Sequence, residues 1–250
     1  MKVLTIDASY NKEVNLNDEL FNYLKQNNYK KIVLFASVQF VNHLDSVKTQ
    51  FKTFDNNIKI ITIKPSRTHK EGQLLGCDLY ENNLNLNNEW NEIDCFLYIG
   101  DGLFHPKALL FAQKEKDKNE FKEILMFDPI ANKLSSLKHE DNEKVMKRLK
   151  GNLMKLLASD TIGFIATIKP GQSFLYLEKK LKEKYPNKKI YVFLTDNITE
   201  NILEPYTFID VWVNSACPRL GFDDAEHMRV SMINIVDALR AEEVLTKLDF

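Results

Sequence analysis

Lys31-Ile-Val-Leu-Phe-Ala-Ser-Val38 is an apolar run rich in strand formers, and the residues after it change period. Val41, Leu44, Val47 and Phe51 fall at helical spacing. A second strand at Ile58–Ile63 follows, then a long loop. A third, Cys95-Phe-Leu-Tyr-Ile99, is introduced by Ile93-Asp94 and ends in Gly100-Asp-Gly102. Strands with fully apolar cores, separated by helices, belong to parallel sheets covered on both faces.

The same plan recurs downstream. Thr161-Ile-Gly-Phe-Ile-Ala-Thr-Ile168 reads as a strand, Pro170-Gly171 as a turn, and Phe174, Leu177 and Leu181 as one helix face. Ile190–Leu194 is the next strand. Phe208-Ile-Asp210 then introduces Val211-Trp-Val213, which runs into Asn-Ser-Ala-Cys-Pro-Arg219. The expected fold class is therefore α/β, with two similar lobes, each a mostly parallel sheet flanked by helices. The lobes are placed at 1–135 and 136–250. Leu137–Ser159 is expected to connect them as a helix burying Val145, Leu149, Leu153 and Leu156. Met1–Ile6 reads as a first short strand.

Composition excludes several function classes. With 250 residues, 44% hydrophobic and 28% charged, the chain can bury a sizeable core. A net charge of −1 gives no electrostatic case for nucleic acid or an anionic membrane. The basic runs Lys144–Lys150 and Lys179–Lys184 are interleaved with acids and read as solvated helix faces. Ile32–Val41, the longest apolar stretch, is far too short to cross a bilayer. No secretory leader is recognisable at the N-terminus. Three widely spaced cysteines make no disulfide framework, so a cytoplasmic location with reduced thiols is expected.

In open parallel sheets ligands gather at the carboxyl ends of the strands. The unusual loops all sit at such ends: Thr68–Tyr80, Gly100–Pro106, Lys169–Gln172 and Asn214–Asp224. If the lobes face each other, these loops converge on one site. In Gly100-Asp101-Gly102-Leu-Phe104-His105-Pro106, two glycines permit a sharp turn and close approach to a ligand. Pro106 suits a first helical turn, whose N–H groups could seat a carboxylate or phosphate. Asp101 could hold a ribose or an amino group, and His105 could orient a substrate or shuttle a proton; a plain strand–helix turn capped by His105 is the other reading. Lys169-Pro170-Gly171-Gln172 is the equivalent turn of the second lobe, with the Gln172 amide to spare.

Cys77 and Cys217 each lie on a loop after a strand, one per lobe. Thiolates from separated loops can ligate zinc or an iron–sulfur cluster, but no Cys-x-x-Cys pair is present, and burial as a small hydrophobe is the alternative for each. Cys95 opens an apolar strand and is assigned to the core. Asp223-Asp224 could hold a cationic group or cap the next helix. No dinucleotide, Walker or nucleophile-elbow motif is present.

Gln73-Leu-Leu-Gly-Cys77, Gly100-Asp-Gly-Leu-Phe-His-Pro106, Lys169-Pro-Gly-Gln172 and Ala216-Cys-Pro-Arg219 with Asp223-Asp224 occur in this order. Together they resemble the archaeal 2-(3-amino-3-carboxypropyl)histidine synthases, over about Lys31 to Asp224. That resemblance implies lobes that each give one cysteine to a central [4Fe-4S] cluster. It implies homodimers in archaea and a related pair of subunits in eukaryotes. It also implies S-adenosylmethionine as substrate, reduced by the cluster and split at the sulfonium–aminocarboxypropyl bond. The 3-amino-3-carboxypropyl group is added to a histidine of elongation factor 2, and methylthioadenosine leaves. Carried onto this sequence, Cys77 and Cys217 are cluster ligands, while Gly100, Asp101, Gly102, His105, Gly171 and Gln172 surround S-adenosylmethionine.

The family has a further first lobe, with a third cysteine, that these residues do not match. Three explanations follow: a separate polypeptide supplying that lobe, a non-catalytic scaffold subunit beside a complete catalytic one, or an enzyme reduced to two cysteines. The first two are favoured. An unrelated small-molecule enzyme using Asp101 and His105 in acid–base work is the remaining alternative.

Overall fold

The computed structural model describes residues 8–169, 174–223 and 228–248. The strands are β1 (Lys31–Ala36), β2 (Lys59–Ile61), β3 (Cys95–Ile99), β4 (Glu123–Asp128), β5 (Lys133–Leu137), β6 (Thr161–Ala166), β7 (Lys189–Leu194), β8 (Val211–Asn214) and β9 (Met232–Asn234). The α-helices are α1 (Asp18–Gln26), α2 (Leu44–Phe54), α3 (Glu81–Leu84), α4 (Pro106–Ala112), α5 (Glu143–Ala158), α6 (Leu177–Lys184), α7 (Glu200–Leu203), α8 (Ile235–Leu239) and α9 (Ala241–Lys247). The chain divides into two compact units, Met1–Asn142 and Glu143–Phe250. The expected strand at Met1–Ile6 lies outside the described residues.

In the first unit the sheet order is β2-β1-β3-β4-β5. All pairings are parallel except β4–β5, an antiparallel hairpin with Ile124 opposite Leu137. β1 and β3 are buried on both faces, as the uninterrupted apolar runs require. Cys95 opens β3 opposite Ile32 and Glu123, without any exposure. Burial first, then the charges of Asp94 and Glu123, push its thiol well above the ordinary range. It stays a protonated core residue.

In the second unit the order is β7-β6-β8-β9, all parallel. α5 buries Met146, Leu149, Leu153 and Leu156. Met146 takes the buried place expected for Val145, which is half-exposed. The helix is also shorter than the Leu137–Ser159 expected. Leu137 closes β5 against Ile124, so the residues before 143 complete the first sheet rather than begin the connection.

Candidate functional site in the strand-end loops

Cys77 is placed by a loop stitched to the end of β1. The Ala36 N–H donates to the Gly72 carbonyl at 2.8 Å, and the Leu74 N–H returns to the Ala36 carbonyl at 3.0 Å. Gln73 thereby pairs with Ala36 in parallel fashion, as a one-residue extension of the sheet. Its side-chain oxygen accepts from the His69 and Lys70 N–H groups, tightening the preceding turn. Beyond it, the buried Asp78 carboxylate accepts from the Leu75 N–H at 3.2 Å. Burial raises the Asp78 pKa, opposed by that bond and by Arg67. Cys77 thus sits half-exposed on a short loop fixed on both sides.

The Gly100–Pro106 loop meets this one. A Cβ on Gly76 would lie 2.3 Å from the Phe104 ring, so the cysteine loop and the Phe104 side chain are in direct contact. Gly100 has φ +154° and rests against the Tyr98 hydroxyl, which a Cβ would approach to 2.8 Å. Tyr98 is fully buried, and that burial raises its pKa. Gly102 has φ +66° with open space around it. Asp101 is exposed and His105 half-buried, its ring 5.3 Å from that of Phe104 and 6.4 Å from that of Tyr98. Gly100, Gly102 and Leu103 wall a cavity of about 200 Å³ that Asp128, Lys133 and Ser135 complete.

One expectation for this loop fails. The first turn of α4 does not present vacant N–H groups: Lys107 donates to the Leu103 carbonyl and Ala108 to that of His105. The turn at Leu103–His105 already winds helically, so its carbonyls reach the first donors. His105 makes no capping bond of its own at that terminus.

In the second unit Cys217 follows β8, and two asparagines at adjacent strand ends hold its loop. Asn214 Nδ2 donates to the Cys217 carbonyl and to Asn234 Oδ1, each at 2.8 Å, while Asn214 Oδ1 accepts from the Ala216 N–H. Asn234 Nδ2 donates to the Pro218 carbonyl at 2.7 Å. Ser215 fastens the loop to β6 through the Ile165 carbonyl. Arg219 is buried and ion-paired with Asp223. Asp223 thus holds the guanidinium of this chain's own Arg219.

Cys217 is half-exposed on the wall of a cavity of about 320 Å³, together with Thr167, Lys169, Asp196, Asn197 and Thr199. The Lys169 ammonium reaches Asn197 Oδ1 at 3.3 Å. This cavity lies where β6, β7 and β8 end, as the strand-end rule demands. Gly171, Gln172 and Asp224 lie outside the described residues.

Sequence reasoning missed the asparagine pair and the Asp196–Thr199 wall. A signal for the pair existed. Val211-Trp-Val-Asn214 and Met232-Ile-Asn234 both end an apolar strand in an amide, and a buried amide must be bonded.

Among the described residues, no group of three or more His, Cys, Asp or Glu side chains could hold a metal ion. Each unit offers one half-exposed thiol, a donor that an iron–sulfur cluster takes. Each is on a strand-end loop with its backbone bonded, and this is the chemistry such a group requires, though short of a complete set.

Known proteins similar to this chain fall in one family. A family model described as "Putative diphthamide synthesis protein" matches residues 1–244. The 2-(3-amino-3-carboxypropyl)histidine synthase subunit 1 of Caenorhabditis elegans is 27% identical over 197 residues, covering 78% of this chain and 46% of the relative. The 2-(3-amino-3-carboxypropyl)histidine synthase of Pyrococcus horikoshii is 25% identical over 197 residues, covering 78% and 52%. The chain thus spans about half the length of the curated relatives it matches. The crystal structure of Dph2 from Pyrococcus horikoshii with a 4Fe-4S cluster superposes with a TM-score of 0.69 at 22% identity, over 92% of this chain and 61% of that one. With nearly its whole length matched, the chain belongs to the diphthamide synthesis protein family.

Proposed function

We propose that this chain acts in the first step of diphthamide synthesis, the transfer of a 3-amino-3-carboxypropyl group from S-adenosylmethionine to a histidine of elongation factor 2. The observation that carries the reading is the matched placement of Cys77 and Cys217. Each is half-exposed on a loop at the carboxyl ends of a mostly parallel sheet, and each stands in a stretch that resembles a motif of the family. In this reading both thiolates bind one [4Fe-4S] cluster, and a third ligand comes from residues outside this sequence, on a partner subunit. When bound, the cluster supplies the single electron that opens the sulfonium.

The chain's own residues do the rest. Gly100 and Gly102 let the backbone approach S-adenosylmethionine where a side chain would intrude. Exposed Asp101 offers a carboxylate for its ammonium group, and His105 orients it from the first turn of α4. The family resemblance assigns Gly171 and Gln172 to S-adenosylmethionine as well. The polar wall of Lys169, Asn197 and Thr199 beside Cys217 accommodates its polar end.

Anaerobic reconstitution with iron and sulfide tests the proposal, alone and with a polypeptide carrying the family's first lobe. Visible sulfur-to-iron absorbance, lost in Cys77→Ala and in Cys217→Ala, is expected. Methylthioadenosine should form once S-adenosylmethionine and a reductant are added. Protein that stays colourless in both settings would sink the catalytic reading. It would leave the scaffold subunit.

A further inference from the structure

Tyr98 sits in a buried row of apolar side chains on one face of the first sheet. It pairs with Phe35 on β1 and with Met126 on β4, and Phe96 precedes it by two residues on the same side. The rings of Phe35 and Phe96 lie 6.1 Å apart, and both are as fully buried as Tyr98. A phenylalanine would fill the same space. The tyrosine adds a hydroxyl that meets no hydrogen-bond partner among the described residues. Buried polar groups are bonded in nearly every native structure, and one left unpaired lowers stability. Packing alone therefore gives no reason for this hydroxyl.

Its position gives one. The hydroxyl rises to the level of Gly100, two residues further along the same face, where a Cβ would come within 2.8 Å of it. Gly100 and Met126, both neighbours of Tyr98, wall the cavity of about 200 Å³. Burial raises the phenol's pKa; Ser37, whose own hydroxyl donates to Gln39 Oε1 at 3.1 Å, eases it, and the charge of Asp101 raises it again. The Asp101 carboxylate is therefore near enough for its charge to act on the phenol, yet its side chain is exposed. The glycines on either side of it, at φ +154° and +66° and with open space around the second, let this short segment turn without steric conflict.

We propose that Tyr98 is a positioning residue for substrate binding: its buried O–H donates to the Asp101 carboxylate and fixes it when that carboxylate takes the ammonium group of S-adenosylmethionine. A carboxylate has two oxygens with about four lone-pair sites. One oxygen accepts from the phenol while the other meets the ammonium, and both bonds are of the strong, charge-assisted kind. The hydroxyl that lowers the stability of the empty protein thus gains its partner only on binding. The inference rests on the proposed function, because it states how Asp101 is held toward that ligand.

Tyr98→Phe removes the hydroxyl and keeps the ring. Isothermal titration calorimetry on the full chain, reconstituted anaerobically with iron and sulfide, uses two probes. S-adenosylmethionine carries the ammonium, and methylthioadenosine lacks the aminocarboxypropyl group. The variant should bind S-adenosylmethionine about tenfold more weakly and methylthioadenosine as wild type does. Its urea midpoint should equal or exceed that of wild type, since the deleted group had no bond to lose. Asp101→Asn should show the same selective loss, and adding Tyr98→Phe to it should weaken binding little further.

A lower urea midpoint for Tyr98→Phe marks a structural hydroxyl and overturns the proposal. So does equal weakening of both ligands, or losses that simply add in the double variant. Each of these results leaves wild-type binding of S-adenosylmethionine, and with it the proposed function, in place. Wild-type protein that binds neither ligand sinks both.

Discussion

Asn214 Nδ2 lies 2.8 Å from the carbonyl oxygen of Cys217 and equally close to Asn234 Oδ1, so one buried amide ties the cysteine loop to the ends of two neighbouring strands. Gly221 is pressed against the same Asn234 amide, which a Cβ there would meet at 2.4 Å. The loop is thus held from below at Cys217, Pro218 and Gly221, leaving the thiol at its outer surface.

Removing that amide should loosen the thiol as well as the fold. Asn234→Ala strands the Pro218 carbonyl and an Nδ2 hydrogen of Asn214, a loss of about 1–3 kcal/mol for buried groups left unpaired. Asn214→Asp keeps the size and the Ala216 bond but turns a carboxylate oxygen toward the Cys217 carbonyl. Both variants should show lower urea midpoints and faster alkylation of Cys217, with the Cys77 rate unchanged. Equal acceleration at both cysteines would mean general unfolding and defeat the local account.

Two glycines near Cys77 should respond differently to the same substitution. Gly100→Ala combines φ +154° with a clash against buried Tyr98. Strain of about 1–3 kcal/mol is expected, seen as a lower melting temperature. The nearest atoms to a Cβ in Gly76→Ala all belong to the ring of Phe104, which is 55% exposed and at the end of a rotatable side chain. Stability should fall by less than about 1 kcal/mol, while the displaced ring opens Cys77 to alkylation. The reverse order of stabilities would contradict the packing described here.

Alkylation should also sort the three wild-type cysteines. Cys77 and Cys217 are half-exposed, whereas Cys95 is buried and its thiol is held protonated. Because the thiolate is the nucleophile, iodoacetamide under native conditions should label the first two and spare Cys95 until denaturant is added. Mass spectrometry of the peptides reads this directly, and native labelling of Cys95 would remove it from the core of the first sheet.

That assignment was legible in the sequence because Cys95 opens an unbroken apolar strand, and a strand buried on both faces leaves no doubt about its members. The duplicated strand–helix pattern and the strand-end position of Cys77 and Cys217 were readable for the same reason. β4 and β5 were not: Lys133-Leu-Ser-Ser-Leu137 mixes polar and apolar residues, and its place follows from pairing with β4 far more than from its own propensity. The Asn214–Asn234 bond also escaped, since it joins residues whose neighbourhood exists only once β8 and β9 are side by side. What is local in sequence was visible, and what depends on cross-strand partners was not.

Tyrosines give the two units separate alkaline reporters. Tyr23 and Tyr29 both donate to the Glu123 carboxylate, at 2.8 and 2.9 Å. Burial, followed by that carboxylate, raises Tyr23 to about 12 and Tyr29 further. In the second unit Tyr185 donates to the Ala238 carbonyl at 2.7 Å, and burial raises it to about 12. A phenol whose folded pKa exceeds its unfolded value of about 10 favours the fold fully below pH 10. That contribution is lost as pH climbs from 10 through 12, so both units should lose stability over this window. Tyr185→Phe should flatten the fall in the second unit alone, and Tyr23→Phe should do so in the first. Absorbance of ionised tyrosine followed against pH, beside denaturant midpoints at pH 8 and above pH 10, checks both; ionisation of Tyr185 at an ordinary pKa with the protein still folded would show that its buried bond to Ala238 does not exist.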